Sequence, residues 1–170
     1  MKTHDFLLEL GTEELPPKLL LKLSESLKNN IIDELEKINI SSTSVISFAT
    51  PRRLAVSITA LQSKQKDQIF EKKGPSIESP EIAIKGFAKS CGVDLSELEK
   101  KLLGGKEYYF YSKKDAGQNI SSLLPNIIEG SIKNIPITRA MKWGNSDYSF
   151  VRPVHWLVMM LDKEIVPAKI

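Results

Sequence analysis

The sequence predicts an α+β protein, a mainly antiparallel sheet with helices packed on it. Three observations carry that prediction: strand-length runs rich in apolar or β-branched residues, amphipathic stretches of helical length, and turn residues at the junctions between them.

Asp5 to Leu10 is a short apolar run stopped by Gly11, the pattern of a mostly buried strand. Gly11-Thr12-Glu13-Glu14-Leu15-Pro16-Pro17 follows, and Pro17 fits a first helical turn, where its missing N–H would be unpaired anyway. Leu20, Leu23, Leu27, Ile31, Leu35 and Ile38 then recur at helical spacing, with Asn39 as the stop. Ser44–Ala49 and Arg53–Leu61 read as a hairpin joined through Thr50-Pro51-Arg52, since Pro51 cannot donate to a ladder. A third strand runs from Ile69 towards Lys73 and is broken by Gly74-Pro75-Ser76. Ile82–Ser90 predicts a helix capped by Gly92, and Ser96 caps a further short helix ending at Gly104-Gly105.

Lys106–Lys113, with Tyr108-Tyr109-Phe110-Tyr111, predicts an aromatic strand closed by Asp115-Ala116-Gly117. Asn119–Asn134 is helical by the spacing of Ile120, Leu123, Leu124, Ile127, Ile128 and Ile132, with Pro125 in its first turns. A loop carries Arg139 to Gly144, Val154–Leu161 reads as a buried strand, and Glu164–Ile170 as its hairpin partner.

A length of 170 residues suits one domain, or one domain and part of another, with a sizeable core; one compact unit is the default expectation. With 41% hydrophobic and 26% charged residues the chain should fold, and no apolar run reaches the roughly 20 residues that cross a bilayer. The start has no signal-peptide layout, so the expected location is the cytoplasm, away from membranes. The chain stops at Ile170 directly after an apolar stretch, which predicts a piece trimmed from a longer polypeptide. One cysteine, Cys91, excludes an internal disulfide, and with only His4 and His155 beside it no zinc-ligand spacing arises. A net charge of +3 is compatible with a polyanionic partner without requiring one.

Few segments have the residues for chemistry. Glu13 and Glu14 form a formal carboxylate pair, but acidic residues at a helix start serve the helix dipole more simply. Gly74-Pro75-Ser76 and Gly104-Gly105-Lys106 lack the spacing of a phosphate loop and read as turns. His155 and Cys91 have no nucleophile motif around them and read as structural. No catalytic residue is predicted.

Two cationic segments remain. Arg52 and Arg53 sit at a hairpin turn, either forking onto phosphate oxygens or guarding a strand edge against aggregation. Arg139, Lys142, Trp143 and Arg152 combine cations with a flat aromatic ring, as single-stranded nucleic acid prefers; alternatively Trp143 and Trp156 belong to the core and the cations reach past them to water. These six residues, Arg52, Arg53, Arg139, Lys142, Trp143 and Arg152, are the candidate nucleic-acid contacts.

Four segments in this order resemble the β-subunit family of bacterial two-subunit glycyl-tRNA synthetases: Leu7-Leu8-Glu9-Leu10-Gly11-Thr12-Glu13-Glu14-Leu15-Pro16, Phe48-Ala49-Thr50-Pro51-Arg52-Arg53-Leu54-Ala55, Met141-Lys142-Trp143-Gly144, and Phe150-Val151-Arg152-Pro153-Val154-His155-Trp156-Leu157. Gly74-Pro75-Ser76 and Gly86-Phe87-Ala88 extend the likeness across the interval. Arg139-Ala140-Met141-Lys142 departs from the family's Lys-x-Met-Arg but keeps a positive charge at both ends. The resemblance implies an N-terminal piece, residues 1–170, of a chain several times longer, whose later HD-like and anticodon-binding domains are absent here. It implies a heterotetramer with an α subunit that holds the class II catalytic site and uses ATP with Mg. The β subunit would recognise tRNA(Gly), with no DNA partner. The expected role of this piece is non-catalytic, through tRNA contacts, subunit assembly or both, the alternative being a docking scaffold that never touches RNA.

Overall fold

The computed structural model describes residues 2–144 and 148–168. The expected α+β architecture with antiparallel pairing is present, but the chain forms two compact units where one was expected. Unit 1 combines Met1–Gln65 with Gln118–Ile170, and unit 2 is the intervening Lys66–Gly117.

In unit 1, strands β1 (Thr3–Thr12), β2 (Ser44–Thr50), β3 (Arg53–Gln62), β9 (Val154–Leu161) and β10 (Glu164–Ile165) form one sheet in the order β10-β9-β1-β3-β2. All its pairings are antiparallel, and β1 is central. Side chains alternate across the sheet. Phe6, Leu8 and Leu10 of β1, Leu54, Val56 and Ile58 of β3, and Met159 and Leu161 of β9 are all buried in one core.

Helices α1 (Leu20–Lys37) and α3 (Ile120–Lys133) supply the rest of that core through Leu23, Leu27, Ile31 and Leu35, and through Ile120, Leu124, Ile127, Ile128 and Ile132. This is the stripe the helical spacing predicts, and Asn39 ends the first helix in the left-handed region at φ 55°. Pro125 lies deeper in α3 than a first-turn position, so its ring nitrogen offers no donor to the carbonyl four residues back.

The start of α1 differs from expectation. Pro17–Leu19 form a 3-10 turn and the α-helix proper begins at Leu20, with no acidic residue in its first turn. Glu13 and Glu14 therefore do not serve the helix dipole. The strand pairing that tethers residues 12–15 to the rest of the sheet keeps them out of the helix. At the other end, Glu164–Ile165 alone pair with β9, a shorter partner than expected, and residues 169–170 lie outside the described part.

Unit 2 is a three-stranded antiparallel sheet, β4 (Gln68–Ser76), β6 (Lys106–Asp115) and β5 (Glu99–Leu103), in the order β4-β6-β5. Helix α2 (Glu81–Cys91) packs Ile84 and Ala88 against Leu98, Tyr109 and Tyr111 and ends at Gly92, φ 72°, as predicted. The short helix expected after Ser96 is a single 3-10 turn, Leu95–Glu97, followed by strand β5. Gly104 and Gly105, with φ of 62° and 81°, make the two-residue turn that sets Lys101 opposite Tyr108 and Lys100 opposite Tyr109. Pairing with the aromatic strand overrides the weak helical signal. β4 runs on past Lys73 through a register shift at Gly74 and Pro75, where it was expected to break.

Candidate nucleic-acid interface

Three of the four motif segments meet at one end of the unit 1 sheet. As β1 ends, the Thr12 amide donates to the Arg52 carbonyl at 3.0 Å, the Glu13 amide to the Pro153 carbonyl at 2.9 Å and the Leu15 amide to the Pro51 carbonyl at 2.6 Å. Leu15 is fully buried beneath this knot, and Phe150 and Val151 are buried on the approach to β9. The order of these segments in the sequence thus reflects a single place in space.

On the sheet face away from α1 and α3, Gly11 stands opposite Arg53 on one side and Trp156 on the other. The Trp156 ring lies across Gly11, so close that an added Cβ would fall 2.1 Å from Cε2. The Arg53 guanidinium sits 5.2 Å from the centre of that ring and donates to Glu9 Oε1 at 3.4 Å. His155 Nε2 lies 2.9 Å from Glu13 Oε1, so His155 has the hydrogen-bonded role expected, although both groups are about half exposed.

The six sequence candidates separate. Arg52 is exposed at the β2–β3 turn, and no carboxylate pairs with it among the described residues. Arg53 is committed to Trp156 and Glu9. Lys142 lies on β7 (Met141–Lys142), paired with β8 (Ser149–Phe150), where a featureless loop was expected. Trp143 is half-buried against the main core, while Trp156 keeps 39% of its surface exposed. Arg139 and Arg152, grouped in the sequence, line one pocket. Lys22 of α1 completes it and was not among the six sequence candidates.

No group of His, Cys, Asp and Glu among the described residues has metal-holding geometry. Asp162 is held below the usual carboxylate range by the His4 ring at 2.7 Å and by the Asp5 amide at 2.8 Å, a clasp that ties the β9–β10 turn to the start of β1. No helix of the described residues is long and apolar enough to cross a membrane.

A family model described as glycyl-tRNA synthetase beta subunit matches residues 6–170. A glycine–tRNA ligase beta subunit of Coxiella burnetii (strain RSA 493 / Nine Mile phase I) is 44% identical over 99% of this chain and 25% of its own length. Those of Hahella chejuensis and Cronobacter sakazakii are 39% and 38% identical over 100% of the chain and 26% of theirs. The chain thus spans about a quarter of the length of the curated relatives it matches. The match across nearly every residue, together with the meeting of the motif segments in one knot, places the chain in the glycyl-tRNA synthetase β-subunit family.

Proposed function

We propose that this chain is the non-catalytic N-terminal part of a glycine–tRNA ligase β subunit, and that it supports ATP-dependent attachment of glycine to tRNA through contacts with tRNA(Gly). In this reading the chemistry, with ATP and Mg, belongs to the α subunit, and the assembly works in the cytoplasm. The observation that supports an RNA contact is a set of cations with no acidic partner among the described residues, around one end of the sheet: Arg52 at the turn, and Lys22, Arg139 and Arg152 beside it. Unpaired guanidinium groups fork onto phosphate oxygens and position a nucleic acid without reading its sequence.

A docking role is favoured by a different observation. The sheet face away from the helices exposes apolar residues at its edge strands, Ile46 and Phe48 of β2 at 51% and 54% exposure and Ile165 of β10 at 73%. Exposed apolar residues grouped on one face favour a protein contact.

A salt series separates the two. tRNA affinity of the full heteromeric enzyme is measured for wild type, Arg52→Ala, Arg53→Ala and Lys142→Ala. Each lost phosphate contact should flatten the plot of log affinity against log salt by about 0.7 to 0.9. Unchanged affinity and slope in all three variants would exclude an RNA contact by these residues. The docking reading then predicts that Phe48→Glu lowers recovery of the α subunit in a pull-down.

A further inference from the structure

The pocket that joins Arg139 to Arg152 gathers positive charge in a concavity of unit 1. It measures about 320 Å³ and its charged lining residues are Lys22, Arg139 and Arg152, all cations. Two other pockets among the described residues balance their lysines with Asp94 and Glu97, or with Asp162 and Glu164. Here no carboxylate pairs with any of the three cations among the described residues.

Three chain segments build this arrangement. Lys22 projects from the first turns of α1, Arg139 follows the end of α3 through Pro136 and Ile137, and Arg152 precedes β9. Buried Leu23 and Val151, next to Lys22 and Arg152 in the chain, fix the backbone on two sides. Arg152 is itself half-buried and held, since one guanidinium nitrogen donates to the Val151 carbonyl at 3.0 Å. Its remaining donors are left for something else. Lys22 and Arg139 are exposed beside it, so the concavity presents three like charges to solvent and draws in whatever anion arrives. The helix end beside it adds to this, because the first turn of α1 has neither an acidic residue nor a capping side chain to offset the positive end of its dipole.

We propose that the Lys22–Arg139–Arg152 pocket is a binding site for a phosphate group. Planar guanidinium forks match tetrahedral phosphate oxygens in pairs, and the lysine supplies a third, mobile charge. Thr138, also on the lining, adds a hydroxyl donor. The phosphate comes either from a polynucleotide backbone or from a small phosphorylated compound; both present the same chemistry to the pocket.

The test uses the full-length subunit and inorganic phosphate as the probe, against chloride at matched ionic strength. Phosphate should raise the thermal unfolding midpoint of the wild type, as any ligand of the native state does. Lys22→Gln and Arg139→Gln should each weaken phosphate binding roughly tenfold, the loss expected for one charge-assisted contact. Lys37→Gln is the control: that lysine is on the same helix but pairs with Glu34 at 2.6 Å, outside the pocket. It should respond as the wild type does. A second arm measures the salt slope of tRNA binding for Lys22→Gln. A weakened phosphate response with a flattened slope supports the site and identifies a polynucleotide phosphate. A weakened response with an unchanged slope supports the site and identifies a small phosphorylated ligand. Wild type indifferent to phosphate, or Lys22→Gln and Arg139→Gln indistinguishable from Lys37→Gln, overturns the proposal, whatever Arg52→Ala does to tRNA affinity.

Discussion

Gly11 is where the motif residues become intelligible one by one. The conformation does not demand glycine here; the space does, because the Trp156 ring occupies the volume a Cβ would need. Gly11→Ala should push the indole off the sheet, break its stacking with Arg53 and cost about 1–3 kcal/mol, as overpacking does. Urea denaturation would measure the cost, and it should shrink in a Trp156→Ala background, where the clash is gone. The sequence contained this glycine and this tryptophan but not their meeting, which depends on the register that places both beside Arg53. The same limit applies to the tryptophans. Trp143 stood among cations in the sequence and packs against the core, whereas Trp156 lies on the open face of a strand that reads as buried throughout. The run along β9 is mostly apolar on both faces, so which of them meets the helices was not legible until pairing with β1 fixed it.

Among the elements, the helices of unit 1 were the most legible, since a 3.6-residue stripe depends only on the local chain. Their mutual packing was not. Ser131 of α3 is fully buried, and its hydroxyl has no hydrogen-bond partner among the described residues, although its backbone carbonyl accepts from Asn30 of α1 at 2.9 Å. Ser131→Ala should therefore raise stability by about 1 kcal/mol, by removing an unpaired buried hydroxyl and improving helix propensity. An increased urea midpoint at constant m-value would register it; a fall would mean that the hydroxyl has a partner in solution. Strand β5 shows the opposite difficulty. Its Glu-Lys-Lys-Leu-Leu sequence favours helix locally, and only the glycine turn and the aromatic strand beyond it impose a ladder.

At the scale of the molecule, unit 2 is an insertion between two strands of chain that lie side by side. Lys64 bridges Asn119, and the Gln65 amide donates to the Gln118 carbonyl at 3.0 Å. One compact unit was the natural expectation from length, and the closing contact escaped it because it joins residues more than fifty positions apart. Replacing residues 66–117 by a two-residue Asn-Gly turn should leave unit 1 folded, with a single cooperative thermal transition and unshifted tryptophan emission. Loss of cooperativity would show that unit 1 depends on the insert. The position of β1 also bears on how the chain is made. Its partner β3 emerges from the ribosome early, but β9 emerges only after the whole insert and α3. Throughout that interval the central strand of the finished sheet is an edge, with unpaired amides beside Leu8 and Leu10. A nascent chain stalled before Val154 should therefore be the species most prone to pair with its neighbours on a polysome.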